Sequence, residues 1–154
     1  MIEMKMFDAI LSAVAPFGVD TKVKKDEMFI INRENSRFIT VYEEKYYEKS
    51  PADQYVEYIV EFSTQHRHFD SDDGDEIIEY ILEIMNDKIL PVEFYLDGKR
   101  RFGGEMSLKE YLHYSIKELL SNHGYNFDSH NGLCYEITSW SGKYDTGIRE
   151  LSEE

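Results

Sequence analysis

A single cysteine, Cys134, in a chain of 154 residues leaves no internal disulfide to form and too few thiolates for a metal–sulfur cluster. That usage fits a reducing cytoplasm, which is the expected location. Prolines number only three, and no Ser/Gly/Pro-rich stretch divides the chain, so one domain over 1–154 is expected. Long apolar runs are missing as well. Glu3, Lys5 and Asp8 interrupt the apolar N-terminal stretch, so neither a membrane span nor the apolar centre of a signal peptide forms there. Positive charge is in deficit too, with 17 Lys and Arg against 31 Asp and Glu, a net charge of −14. Such a surface repels phosphate backbones and anionic lipid, so the expected partner is not nucleic acid or a membrane but a basic protein.

Phosphate-binding and nucleophile motifs are absent in the same way. Gly103-Gly104 lacks the further glycine and lysine of a phosphate loop. Ser139-Trp140-Ser141-Gly142 lacks the strand-to-helix elbow of a hydrolase, and Cys134 sits in an apolar strand where a thiol is inert.

What the chain has in quantity is aromatic and apolar surface, 14% and 42% of residues, including 12 Tyr and 9 Phe. It therefore folds. Ile2, Met6, Ile10 and Val14 recur at helical spacing, and Pro16 and Gly18 end that first helix. Met28–Arg33 and Arg37–Glu48 read as a hairpin reversed at Glu34-Asn35-Ser36, with Ser50-Pro51 opening the next loop. The stretch QYVEYIVEFSTQHRHF then reads as one strand inside a sheet, since Ile59 interrupts its polar face. Next comes the acidic elbow DSDDGDE, where Ser71, Asp72 or Asp73 caps a helix carrying Ile77, Ile78, Ile81, Leu82, Ile84 and Met85 on one face. Leu90–Leu96 and Lys99–Phe102 form a hairpin around Asp97-Gly98, ended by Gly103-Gly104. Ser107 and Glu110 make a capping box for a third helix, whose apolar face takes in Leu108, Leu112, Ile116, Leu119 and Leu120 and which Gly124 closes. One strand, Leu133–Trp140, follows between turns at Asn131-Gly132 and Ser141-Gly142, and residues 143–154 read as a loosely ordered tail. The fold class expected is α+β, a mainly antiparallel sheet of about five to six strands with three helices in the order α-β-β-β-α-β-β-α-β.

Three groups invite chemistry. His66, His68 and Asp70 alternate, so on one strand they share a face, and two imidazoles with a carboxylate suit zinc, iron or manganese. HRHFDS resembles the opening of the metallo-β-lactamase metal motif, His-x-His-x-Asp-His, but Ser71 stands where the motif requires His, and the chain is too short for that fold. That family is excluded. Counting back from Gly74 puts Phe69 at the first ligand position of a helix–loop–helix calcium site, so this pattern fails as well. Glu43 and Lys45, with Asp26 upstream, form a Glu-x-Lys pattern, and the order helix, three strands, helix, strand resembles the restriction-endonuclease-like core. That family carries its Glu-x-Lys on the third strand, whereas here it falls on the second. Lys99, Arg100 and Arg101 read as a charged hairpin tip that binds an anion, pairs with the acidic elbow or stays solvated.

The function expected is non-catalytic: an acidic module that binds a basic protein, in concrete form an immunity or antidote protein plugging the basic cleft of a toxin. No cofactor is expected, and no metal beyond the His66, His68 and Asp70 candidate. Partner contact is assigned to Asp70, Asp72, Asp73, Asp75, Glu76, Glu79 and Glu83, in a strip that reaches Asp87, and to the aromatics Tyr42, Tyr46 and Trp140. The alternative is a metal-dependent hydrolase or nuclease-like enzyme using His66, His68 and Asp70, or Glu43 and Lys45.

Overall fold

Helix α1, Ile2–Val14, stops where Pro16 removes an amide donor: a 3₁₀ turn over Ala15–Phe17 follows, and Gly18 takes the left-handed conformation at φ 65°. The computed structural model describes residues 2–47, 52, 54–124 and 132–151. They form an α+β protein with antiparallel sheets in two compact units, Met1–Met85 and Asn86–Glu154. No helix among the described residues is long and apolar enough to cross a membrane.

In the first unit five strands follow one another as an antiparallel meander: β1 Val19–Lys24, β2 Glu27–Asn32, β3 Phe38–Tyr47, β4 Gln54–Phe62 and β5 Gln65–Asp70. The pleat sends Met28, Ile30, Ile39, Val41, Tyr58, Val60 and Phe62 to one face, and all are buried. Helix α2, Gly74–Met85, packs against β4 and β5 with Ile77, Tyr80, Ile81, Ile84 and Met85 buried. Each fully buried aliphatic side chain of that row contributes roughly 1.5–3 kcal/mol through apolar surface removed from water. Edge-to-face contact of Phe7 with Tyr58, at 6.3 Å, fixes α1 on the same face.

Two expectations are corrected here. The run QYVEYIVEFSTQHRHF is a hairpin and not one strand, because Ser63 turns left-handed at φ 57° and pairs Phe62 with Gln65. The strand VDTKVK is an addition to the expected order. Its alternation is present in Val19, Thr21 and Val23, but it is an edge strand with only Val19 buried, so apolar content gives little sign of it.

The second unit is a four-stranded sheet in the order β7-β6-β8-β9, built from β6 Ile89–Leu96, β7 Lys99–Ser107, β8 Cys134–Ile137 and β9 Gly147–Glu150. Asp97 and Gly98, at φ 53° and 76°, make the tight turn that an Asp-Gly pair implies. Gly103 and Gly104 do not end β7; they lie within it, opposite Glu93 and Val92. The expected third helix is two, α3 Leu108–His113 and α4 Ile116–Asn122, separated by extended Tyr114 and Ser115. Ser107 caps α3 as expected, and a second capping box, Ser115 with Glu118, starts α4. The restart turns Leu112 outward, 68% exposed, off the expected apolar face. Leu90, Val92, Phe94, Leu119, Leu120 and Ile137 are the centre of this unit's core. Of the segment 143–154, Gly147–Glu150 pair with β8 and Leu151 is buried.

The described residues thus hold nine strands and four α-helices, against the five or six strands and three helices expected. Ser50-Pro51, His130, Asn131 and residues 152–154 lie outside the described residues.

Candidate protein-binding face

The face of the five-stranded sheet opposite α1 and α2 is built by the other half of the alternation. Cross-strand register sets Tyr46 beside Tyr55, Glu44 beside Glu57 and then Asp70, Tyr42 beside Ile59 and then His68, and Thr40 beside Glu61 and then His66. Tyr46 and Tyr55 stack, with ring centroids 5.1 Å apart and planes 18° from parallel. The Tyr46 hydroxyl donates to the Glu44 carboxylate, and that bond, with burial second, raises the phenol's pKa. Burial, then the negative charges of Glu61 and Glu27, raises that of Tyr42.

The row Glu44, Glu57, Asp70 places three carboxylates side by side across three strands. Like charges directly opposed in a sheet are destabilising. The sheet answers locally: the His68 ring Nδ1 bonds to the Glu57 carboxylate. His66 packs edge-on against His68 at 5.1 Å.

His66, His68 and Asp70 do share one face of β5, as their spacing requires, and all three are exposed. The two imidazole rings meet edge-on, and the Nδ1 of His68 is taken up by the Glu57 carboxylate. No group of three or more His, Cys, Asp and Glu among the described residues is arranged to hold a metal. Glu43 and Lys45 point to the helix-covered face, with the ammonium 3.9 Å from a carboxylate whose side chain is 3% exposed. The Glu43 amide donates to the Asp26 carbonyl at 2.8 Å, and Asp8, Lys25, Asp26 and Glu43 line a cavity of about 280 Å³ with Phe7, Leu11 and Val23. Five strands, not three, precede α2, so the element order that resembled the endonuclease core is not the observed one.

The acidic strip divides. Asp72, Asp75, Glu76 and Glu79 are exposed and Glu83 is half-buried, with Asp75 and Glu76 in the first turn of α2 where they complement the helix dipole. Asp73 precedes the helix, and its carbonyl accepts the Ile77 amide at 3.1 Å. Asp87 leaves the strip altogether. It is buried at φ 58°, and its carboxylate accepts from the Ser141 amide at 3.0 Å and from the Ser141 hydroxyl. Trp140 is buried, 5% exposed, and is not on the outer surface with Tyr42 and Tyr46. Arg100 is drawn from the basic cluster to Glu93, a buried carboxylate on the neighbouring strand.

The sequence marks Tyr55, with Tyr42 and Tyr46, as an aromatic beyond the needs of a core, but not its stacking on Tyr46 nor the placing of Glu57 beside Glu44. The signal was the hairpin register, which a one-residue slip would have reversed. Comparison with known proteins finds no matching family model, no similar curated protein and no similar solved structure.

Proposed function

We propose that the chain is a non-catalytic module that binds a basic protein through the outer face of its five-stranded sheet. The observation that supports this is the carboxylate row Glu44, Glu57, Asp70 set directly beside the Tyr46–Tyr55 stack. A sheet that kept this face for solvent alone would gain by breaking up the row, whereas arginines and lysines of a partner neutralise it on docking. Stacked tyrosines supply rigid contact area at low conformational entropy, the property that makes tyrosine a frequent interface anchor. The concrete form is an antidote: negative potential speeds encounter with a basic toxin and buried aromatics slow release.

Calorimetric titration of the purified chain against a basic protein encoded beside it tests the reading. The expected result is 1:1 binding that weakens steeply with salt and falls at least tenfold for Tyr55→Ala. No binding, or binding indifferent to salt and to Tyr55→Ala, rejects it. So does stoichiometric zinc, manganese or iron in the purified protein that is lost on His68→Ala, which would favour the metal-dependent hydrolase instead.

A further inference from the structure

The second unit contains a gap beside its core that the described residues leave open. Leu90, Val92 and Phe94 of β6 face the helices, and their partners on β7 are Met106, Gly104 and Phe102. Gly104 is therefore the one member of this core-facing pair of rows without a side chain. A Cβ placed on it meets nothing within 4 Å. Its φ lies outside the left-handed region, so the backbone does not require glycine. A glycine inside a strand loses packing and conformational entropy on folding, and it commonly marks a place where a ligand comes close.

Above Gly104 lies a cavity of about 280 Å³, floored by Val92 and the stacked pair Phe94–Phe102, whose centroids are 4.5 Å apart. Helix α4 roofs it with Ile116, Leu119 and Leu120. An apolar cavity of ~150 Å³ already holds benzene, so this one accommodates a two-ring hydrocarbon. Its ionisable lining residues are Glu105, Glu110 and His123, with no Lys or Arg among the described residues that line it; alternation along β7 turns the Glu105 side chain to the face opposite Gly104, which leaves Glu110 as the carboxylate of the cavity. The Glu110 carboxylate is held in place, because the Ser107 capping box fixes it at 3.0 Å from the Ser107 hydroxyl.

We propose that this cavity binds a small apolar molecule carrying one cationic group, a hydrophobic primary amine. The ring system lies on Phe94 and Phe102 in the space Gly104 vacates, and the ammonium sits at the carboxylate of Glu110. The site is separate from the protein-binding face, and it stands or falls independently of that reading.

The test titrates 1-naphthylmethylamine, and 1-naphthylacetic acid as its anionic counterpart, into the ¹⁵N-labelled full chain at neutral pH. The expected result is saturable binding of the amine, with the amides of Gly104, Leu120 and His123 shifting together, and binding of the acid at least tenfold weaker. Gly104→Val fills the gap, so it lowers amine affinity at least tenfold while its thermal midpoint holds or rises. Gly104→Ala, a smaller step, gives an intermediate loss should the valine fail to fold. Absence of saturable binding, shifts confined to other residues, or undiminished affinity in the glycine variants overturns the site. Equal affinity for the acid overturns the cationic class.

Discussion

Tyr46 lies flat on Tyr55 across the β3–β4 ladder, 5.1 Å between ring centroids, while its hydroxyl reaches along its own strand to Glu44. Stack and hydrogen bond together hold the ring in one orientation and keep the Glu44 carboxylate beside Glu57. An orientated aromatic next to a concentrated negative charge loses little entropy on meeting a cationic side chain.

Relieving the row separates its two consequences. Glu44→Gln keeps an oxygen for the Tyr46 hydroxyl but removes one of two directly opposed charges. The folded state should gain roughly 0.2–1 kcal/mol in denaturant unfolding. On the proposed function, affinity for a basic partner should fall by several-fold, mainly through slower association. A substitution that leaves stability and association rate both unchanged would show that the row is electrostatically idle.

Alkaline titration reads the same face. The pKa values of Tyr42 and Tyr46 are raised, as is that of Tyr95, where burial leads and Glu136 and Glu93 follow. With the folded values above the unfolded value of 10.0, the native protein holds protons that the unfolded chain releases. Their contribution to stability is complete below pH 10 and is lost as pH rises through the folded values. Ultraviolet titration of the 12 tyrosines should show a group of phenols ionising late, reduced by one in Tyr46→Phe. A single transition centred on the free-tyrosine value in the folded protein would contradict the geometry.

The α+β class, the cap of α3 and the tight turn between β6 and β7 were legible because each rests on local chemistry. Ser107 with Glu110 and Asp97 with Gly98 behave as their side chains and backbone require. Ser115 and Glu118 carried the same capping signal and were read through, since Ile116, Leu119 and Leu120 continued an apolar period that a single helix would also have produced. Periodicity reports which residues are buried, not whether one axis carries them. The site was less legible than the fold. Tyr42 and Tyr46 were singled out by residue type, but their neighbours on the face are set by hairpin register, and the register depended on Ser63 reversing a run that looked continuous. Buried Trp140 and Asp87 show the reverse problem: residue type alone does not tell a side chain that faces a partner from one that satisfies its own unit.

The Arg100–Glu93 pair should matter to stability despite lying in a cluster that reads as a solvated tip. Glu93 is buried, while about half of the Arg100 side chain remains in water. Arg100→Met keeps the apolar stem and takes the guanidinium donors from a buried carboxylate, a change expected to destabilise by about 1–3 kcal/mol. Replacing both, as Glu93→Gln with Arg100→Met, should recover part of that loss. Equal destabilisation by single and double variants would mean that the two groups are not coupled.

Asp87 combines two demands on one residue, and they can be measured apart. Its backbone is left-handed at φ 58°, a region that disfavours side chains with a Cβ but is more accessible to Asp, Asn and Gly, and its carboxylate receives both donors of Ser141, 54 positions later. Asp87→Gly relaxes the backbone and removes only the acceptor, so it reports the hydrogen bonds, about 1–3 kcal/mol. Asp87→Ala loses the acceptor and keeps a strained Cβ, adding roughly 1 kcal/mol more. Asp87→Asn retains one oxygen and tolerates the conformation, and should lie closest to the native protein. The order Asn, then Gly, then Ala in denaturant midpoint follows from this division, and Gly more stable than Asn would mean that strain, not the bond to Ser141, governs the position.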